Sequence, residues 1–202
     1  GEKIMRVMQD LVDLLNRATT AYDEGNPIMT DKEWDKLYFE LQDLEEKTGI
    51  ILKNSPTQVI HYESVNALNK VTHNHKMLSL EKTKDIDVIK SFVGKEDYLA
   101  MCKMDGLTCS LTYRGGRLVA AETRGNGIVG EDILHNAKVI PSIPKRIKYQ
   151  DELVVDGEII CTYHDFEMFA SDYKNPRNFA AGSIRLLDSQ ECAKRHLTYV
   201  AW

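Results

Sequence analysis

The sequence lacks any apolar run long enough to cross a membrane: its hydrophobic stretches span only a few residues, whereas a membrane-spanning helix needs about 20. It has no C-x-x-C spacing among its four scattered cysteines, which argues against a structural zinc site or a disulfide framework and predicts reduced thiols. The amino end has no signal-peptide pattern. We therefore expect a cytoplasmic protein without a membrane or metal-site motif.

The sequence also lacks an excess of basic over acidic residues. The chain of 202 residues carries 26 Lys and Arg against 31 Asp and Glu, a net charge of −5, whereas a free-standing nucleic-acid binder usually has a basic face. The excess acid lies in residues 1–60, which hold 7 basic and 12 acidic residues. Tight DNA binding by this chain alone is therefore not expected.

Two amphipathic helices are predicted at the amino end. Thr30 and Glu33 have the spacing of a capping box that opens the second helix. The apolar positions at helical spacing in the first helix are Ile4, Val7, Met8, Leu11, Val12, Leu15 and Ala18, and those in the second are Trp34, Leu37, Tyr38, Leu41 and Leu44. Residues 1–55 are therefore interpreted as a small acidic helical domain.

The pattern changes to that of strands after this domain. Residues 107–113 alternate between apolar and polar, as in a half-buried strand, and glycines at 115 and 116 offer a turn into a second strand over 118–123. Other runs predict a strand over 98–102, a strand over 153–160 interrupted by Asp156 and Gly157, and a helix over 165–173 that stops at Asn175 and Pro176. We therefore predict an α+β chain in which residues 56–202 form a mainly antiparallel-sheet domain.

The first motif with chemical potential is K-M-D-G at residues 103–106, directly after a predicted strand. Lys103 there could face a cleft, and lysine becomes a nucleophile when desolvation or nearby positive charge deprotonates part of its population. Asp105 could orient the amine or a phosphate-bound metal. The alternative is an ordinary Asp-Gly turn with a surface lysine.

The second motif is the glycine-rich run 123–132 around Arg124. Glycines let backbone amides approach an anion closely, and the guanidinium adds a planar, bidentate charge. The alternative is a flexible loop with a solvated arginine.

The third motif is Gly157-Glu158 within an apolar strand. A buried carboxylate must be paired or hydrogen-bonded, and ribose hydroxyls are suitable donors. The alternative is a glutamate on the solvent face of the strand.

The fourth motif is the run 175–185, with Arg195 beyond it. Arg177, Arg185 and Arg195 are spaced around a predicted Gly-Ser turn and could converge on a phosphodiester. The alternative is a set of scattered surface arginines.

In order and spacing, these motifs resemble the NAD-dependent DNA ligases. The resemblance rests on residues 26–31, E-W-D at 33–35, S-P-T-Q at 55–58, M-L-S-L at 77–80, K-M-D-G at 103–106, and the runs 123–132, 157–158 and 175–188. It implies that the helical domain binds the nicotinamide mononucleotide (NMN) half of NAD. It also implies that residues 56–202 belong to a nucleotidyltransferase domain with an ATP-grasp-like ligase fold, which holds AMP.

The resemblance also assigns roles to individual residues. Lys103 would attack the α-phosphate of NAD, release NMN and carry AMP, with Asp105 in support and Mg²⁺ neutralising developing charge. The remaining assignments are Arg124 at the ribose-phosphate side, Glu158 at the ribose hydroxyls, Ser79 and Leu80 beside adenine, and Arg177, Arg185 and Arg195 around phosphates. In the helical domain, the residues for the cationic nicotinamide half are Tyr22, Asp31, Trp34 and Asp35.

The sequence also departs from the family pattern. Met101 stands where the family usually has a glutamate that contacts the adenine amino group, so adenine recognition is expected to be weaker or supplied differently. Asn126, Ala21 and His196 replace a usual Asp, aromatic residue and Pro. The later D-G-V-V-x-K and terminal lysine motifs do not occur before Trp202, so we expect an incomplete nucleotidyltransferase domain.

These observations favour the amino-terminal subunit of a split ligase for DNA replication and repair, of phage or other viral origin and acting in the host cytoplasm. A second chain would supply the later motifs, the oligonucleotide-binding barrel and the grip on nicked duplex DNA. A segment of a longer ligase is the second interpretation. A catalytically degenerate module that binds NAD, AMP or a replication protein is the third, and an ATP-dependent or RNA-capping transferase would not explain the helical domain.

Overall fold

The computed structural model describes all of residues 1–202, which form two compact units, Gly1–Ile60 and His61–Trp202. The first unit extends five residues beyond the predicted division after residue 55, because Ser55 and Thr57 donate hydrogen bonds to the Glu45 carboxylate. None of the helices combines the length and the hydropathy that a membrane span requires.

The first unit is built from the two predicted helices, α1 (Glu2–Asp23) and α2 (Asp31–Thr48), and a 3₁₀ turn at Pro56–Gln58. The predicted capping box is present: Glu33 N donates to Thr30 Oγ1, and Thr30 N donates to the Glu33 carboxylate. The hydrophobic cluster comprises Met8, Leu11, Val12, Leu15 and Leu41. Ile4 and Val7, which the helical spacing placed on the same stripe, are exposed because the cluster begins only at Met8.

The second unit contains six strands, and the α+β prediction is confirmed. The strands are β1 (Lys70–Thr72), β2 (Leu107–Arg114), β3 (Arg117–Thr123), β4 (Val129–Glu131), β5 (Leu153–Ile160) and β6 (Thr198–Ala201). Four of them form an antiparallel sheet in the order β3-β2-β5-β6, and β1 pairs with β4. The predicted hairpin is therefore present, and β5 runs without interruption through Gly157.

Five helices accompany these strands: α3 (Ile86–Val93), α4 (Leu134–Ala137), α5 (Tyr163–Phe166), α6 (Pro176–Ile184) and α7 (Ser189–Ala193). One sheet face shares a core with α4 to α7 that includes Leu111, Ile159, Phe179 and Ile184. The predicted helix over 165–173 is wrong in extent, since a helix forms only over α5. Asn175 begins a helix rather than ending one, because its Oδ1 accepts from Asn178 N at 2.8 Å and Pro176 occupies the first helical position.

The predicted half-buried character of 107–113 is also wrong, because both faces of β2 are covered. Ser110 and Thr112 are only 3% and 4% exposed. Ser110 lies in register with Glu122 on β3 and Asp156 on β5. These two carboxylates pair with His73 and His75, so the segment that carries the histidines covers the second face of the sheet there.

Candidate functional site

The K-M-D-G segment leads directly into β2, at the edge of the sheet where β5 ends. Lys103 and Asp105 are exposed. Gly106 is buried, and a Cβ there would lie 1.9 Å from the Ile159 carbonyl oxygen, so only glycine lets the chain pass so close to β5. The predicted strand over 98–102 is absent, because those residues have no ladder partner. Lys103 therefore follows an irregular segment rather than a strand.

Glu158 lies on β5 in register with Thr108 of β2, close to the K-M-D-G segment in the fold. Thr108 Oγ1 donates to the Glu158 carboxylate at 3.0 Å, and the glutamate is half-buried. The structure thus shows a hydrogen-bonded carboxylate rather than a solvated one. Gly157 is required beside it, since a Cβ would lie 2.5 Å from the Tyr199 ring.

Arg124 follows β3 and is tied to the same threonine. Its backbone N–H donates to the Thr108 carbonyl at 3.0 Å, and its Nη2 donates to Ser79 Oγ at 2.8 Å. Its Nε is buried and has no partner. A buried donor without a partner is costly, and because this one is closed to solvent, an anionic ligand would have to bind the half-buried side chain through its Nη atoms. Thr108 was not predicted as a site residue, because the alternation of apolar and polar residues in a strand does not show that one threonine bonds both Arg124 and Glu158.

The glycines around Arg124 do not create an anion-binding array of amides, contrary to the sequence interpretation. The amides of residues 126–129 bond within the loop: Asn126 Oδ1 accepts from two of them, and the Arg124 and Val129 carbonyls accept from the others. Gly125 has a φ of 57°, and a Cβ there would lie 2.0 Å from the Val129 carbonyl oxygen. The glycines therefore serve close packing of backbone, and the guanidinium is the cationic group of the loop.

The three arginines of the fourth motif have separate partners. Arg177 lies 3.7 Å from Asp105, which links α6 to the K-M-D-G segment. Arg185 pairs with Glu131 at 3.0 Å, and Arg195 donates to the Tyr173 hydroxyl and lies over the Phe179 ring. The predicted Gly-Ser turn is wrong, because Gly182 and Ser183 lie within α6. Of the three, only Arg177 contacts another residue of the candidate site.

The residues expected near adenine lie on exposed chain. Ser79, Leu80 and Met101 are all exposed, and Ser79 is joined to the site through Arg124. In the structure, no group of three or more His, Cys, Asp or Glu side chains is arranged to hold a metal ion. A Mg²⁺ ion bound by one or two carboxylates together with substrate phosphates needs no such group.

In the first unit, the predicted residues lie at two helix ends. Tyr22 is exposed in the last turn of α1, and Asp31 begins α2. Trp34 stacks on Tyr38 with a ring separation of 5.3 Å and donates its indole N–H to the Leu15 carbonyl. Asp35 is buried. Asp31 and Asp35 are four residues apart and therefore share one face of α2.

His73 is a member of the candidate site that sequence reasoning missed. Its ring has no exposed surface and bonds both Glu122 and the Arg124 carbonyl. A single histidine in a run of polar residues carries no periodic signal, and only the folded contact reveals its place.

Two family models match the chain. The model described as the NAD-dependent DNA ligase adenylation domain matches residues 65–202, and the one described as the DNA ligase-like, N-terminal NAD⁺-binding domain matches residues 1–61. Among curated proteins, a DNA ligase of Lachnoclostridium phytofermentans is 45% identical over 99% of this chain and 32% of its own length. A DNA ligase of Ruminiclostridium cellulolyticum is 41% identical over 96% of the chain and 31% of its length. The chain thus spans about a third of the length of these relatives.

Proposed function

This chain belongs to the NAD-dependent DNA ligases, with an N-terminal NAD⁺-binding domain and an adenylation domain, and from that we propose that it transfers the adenylyl group of NAD to Lys103. The observation that carries the proposal is the convergence on Thr108. Its carbonyl accepts from Arg124, its hydroxyl donates to Glu158, and it lies two residues beyond the K-M-D-G segment. A cation and a carboxylate thereby lie at the end of the β2/β5 pair that the segment with Lys103 enters, which supports the proposal.

Each group has a chemical task in this proposal. Arg124 would hold the α-phosphate through the Nη atoms of its half-buried guanidinium, and Glu158 would accept from the ribose hydroxyls. Arg177 would bind phosphate beside Asp105, which supports the nucleophile. Ser79, Leu80 and Met101 would border adenine. To bind a phosphate, Arg185 would have to leave Glu131, and Arg195 would have to leave its aromatic neighbours. We therefore propose that these two arginines bind phosphate only in a step after the transfer to Lys103.

The transfer is a substitution at phosphorus. Lys103 Nζ loses one proton to solvent to become the neutral amine and forms an N–P bond with the α-phosphate, while the P–O bond to NMN breaks and NMN leaves with the electron pair; the new phosphoramidate nitrogen then loses a second proton to solvent. Lys103 is exposed in the structure, so in this proposal the bound dinucleotide itself covers and desolvates the amine. Mg²⁺ would be bound mainly by the phosphates, where it would neutralise developing charge.

The helical unit would bind the NMN half of NAD. Tyr22 offers an exposed ring for stacking on the cationic nicotinamide, and Asp31 and Asp35 share one face of α2. Trp34 is anchored to Leu15 by its indole N–H, so its part would be to fix the face rather than to move onto the ligand.

Sealing of nicks in duplex DNA requires more than this chain in our proposal, because its relatives are about three times as long. The remaining functions in replication and repair would come from further domains, carried by a second polypeptide of a split ligase, as in a phage, or by the same polypeptide. The proposed setting is the cytoplasm.

The test is incubation of the chain with NAD and Mg²⁺, alone and with the remaining part of the adenylation domain added in trans, followed by intact mass measurement. We expect one adenylyl group on Lys103, none in K103A, and an unchanged yield in the control K95A at an exposed lysine outside the site. Absence of adenylate in both conditions would refute the proposal. Binding of NAD without transfer would instead support a degenerate binding module.

A further inference from the structure

We propose that His73 is a positioning residue for the adenylyl site, which fixes the backbone of Arg124 and thereby sets the direction of its guanidinium. This inference rests on the proposed function, because it concerns the arginine that would hold the α-phosphate. The residue lies 30 positions before Lys103 in the sequence and outside all of the motifs described above.

Both ring nitrogens of His73 are committed. Nδ1 lies 2.6 Å from a Glu122 carboxylate oxygen, and Nε2 lies 2.9 Å from the Arg124 carbonyl oxygen. A peptide carbonyl can only accept, so these partners assign the proton to Nε2. The contact between Nδ1 and the Glu122 carboxylate is then the second hydrogen bond of the ring. The fully buried ring cannot turn without breaking both contacts.

The backbone around His73 is tied to the Arg124 loop as well. His73 N donates to the Ile128 carbonyl at 2.8 Å, and Met77 N donates to the Gly127 carbonyl at 3.0 Å. Gly130 leaves room for the ring, since a Cβ there would lie 2.9 Å from His73 Cε1. Segment 73–77 therefore holds the loop at several points, and the ring holds its first residue.

We call the hydrogen bond from His73 Nε2 to the Arg124 carbonyl the clamp; it holds the backbone of Arg124, whereas the guanidinium is held separately. The Arg124 carbonyl is fixed by His73, and its Nη2 is fixed by Ser79, which follows closely on the same segment as His73. The buried Nε between these anchors is the donor without a partner. Segment 73–79 thus carries both anchors. Without the His73 contact the Arg124 carbonyl would be held only by the Gly127 amide of its own loop, so the guanidinium could change direction without unfolding of the sheet.

Two substitutions separate the contacts of the ring. In H73Q the amide nitrogen reaches about as far as Nε2 and can donate to the Arg124 carbonyl, whereas in H73N it reaches only as far as Nδ1. We expect the KM for NAD in adenylation of Lys103 to rise about tenfold in H73N, the effect of one lost hydrogen bond, and to stay within about threefold in H73Q. The matched control is H75N, on the same segment but paired with Asp156, with a change within about threefold.

A double-mutant cycle tests whether His73 acts through Arg124. In an R124A background, H73N should lower kcat/KM no further, because the side chain that it positions is gone. A merely structural histidine would give additive losses. Additive losses, or equal KM values in H73Q and H73N, would overturn the inference.

Hydrogen exchange gives a measurement that does not depend on activity. In H73N the amides of residues 126–129 should exchange about tenfold faster than in H73Q, while those of β5 remain unchanged. If the loop loosens but no variant or wild-type chain forms adenylate, the clamp stands and the proposed function fails. If the loop is no looser in H73N than in H73Q, the clamp is wrong whatever the activity.

Discussion

Gly106 should be the position at which the smallest substitution does the greatest damage to the candidate site. The Cβ of an alanine there would lie 1.9 Å from the Ile159 carbonyl oxygen and 2.8 Å from its carbon, both backbone atoms that cannot swing away. An ordinary carbon–oxygen contact needs about 3.3 Å, so the K-M-D-G segment or β5 must move by about 1.4 Å. G106A should therefore shift the segment that carries Lys103.

The expected cost follows from that displacement. Overpacking of this kind destabilises a domain by roughly 1–3 kcal/mol, and a misplacement of about 1 Å can lower a rate about 100-fold. Urea unfolding followed by circular dichroism measures the first effect, and single-turnover adenylation of Lys103 measures the second. We expect the rate to fall far more than loss of folded protein would explain.

The matched control is the same substitution at Gly182, inside α6, where a Cβ would meet nothing within 4 Å. Alanine is the better helix former by roughly 0.5–1 kcal/mol, so G182A should stabilise the chain and leave adenylation unchanged. A G106A variant with wild-type stability and wild-type adenylation would refute the close approach to β5.

Three further predictions concern other parts of the chain. Cys102 is exposed, whereas burial raises the pKa of Cys161 to about 11 and that of Cys192 to about 12. A thiol reagent at pH 8 should therefore label one thiol rapidly in the native chain and none in C102S. Rapid labelling of several thiols would contradict the buried positions. The same shifts, with that of Tyr113 to about 12, favour the neutral forms in the folded state, so the stabilisation from these groups is fully present below about pH 8 and the free energy of unfolding should fall between about pH 9 and 12; a rise over that range would have the wrong sign. Glu45 accepts hydrogen bonds from Ser55 and Thr57, so E45A should destabilise the first unit by roughly 2–3 kcal/mol in urea unfolding. The control E46A, at an exposed neighbour, should destabilise it by less than about 0.5 kcal/mol. Equal losses would exclude a specific role for these bonds.

The helical unit was predictable from sequence because its signals are local. Thr30 and Glu33 are three residues apart, and the contact that they make depends on nothing else in the fold. The hairpin was predictable for the same reason, since its two strands flank adjacent glycines. The exposure of Ile4 and Val7 was not predictable, because helical spacing does not say how far along α1 the hydrophobic cluster with α2 extends.

The errors fall where distant partners decide the outcome. Residues 98–102 have the composition of a strand, but a strand forms only where a neighbour completes its hydrogen bonds. Gly182 and Ser183 are typical of a turn, yet Asn175 caps a helix that continues through both. The missed residues Thr108 and His73 act through backbone carbonyl contacts, and carbonyl groups have no sequence signature.

Some motifs of the candidate site are positioned by close packing at a glycine, and others by the partner of an arginine side chain. This difference decides which motif positions could be predicted from their spacing in the sequence. Gly106 packs directly against the backbone of Ile159 in β5. Gly157 lies within β5 and packs against the ring of Tyr199. The segment with Lys103 and the carboxylate of Glu158 are therefore fixed by the register of one strand pair, in which Thr108 faces Glu158. Arg177, Arg185 and Arg195 are set by side-chain partners on three different parts of the unit. Added volume should therefore disrupt the lysine and the glutamate together, whereas the arginines should respond one at a time to loss of Asp105, Glu131 or Tyr173.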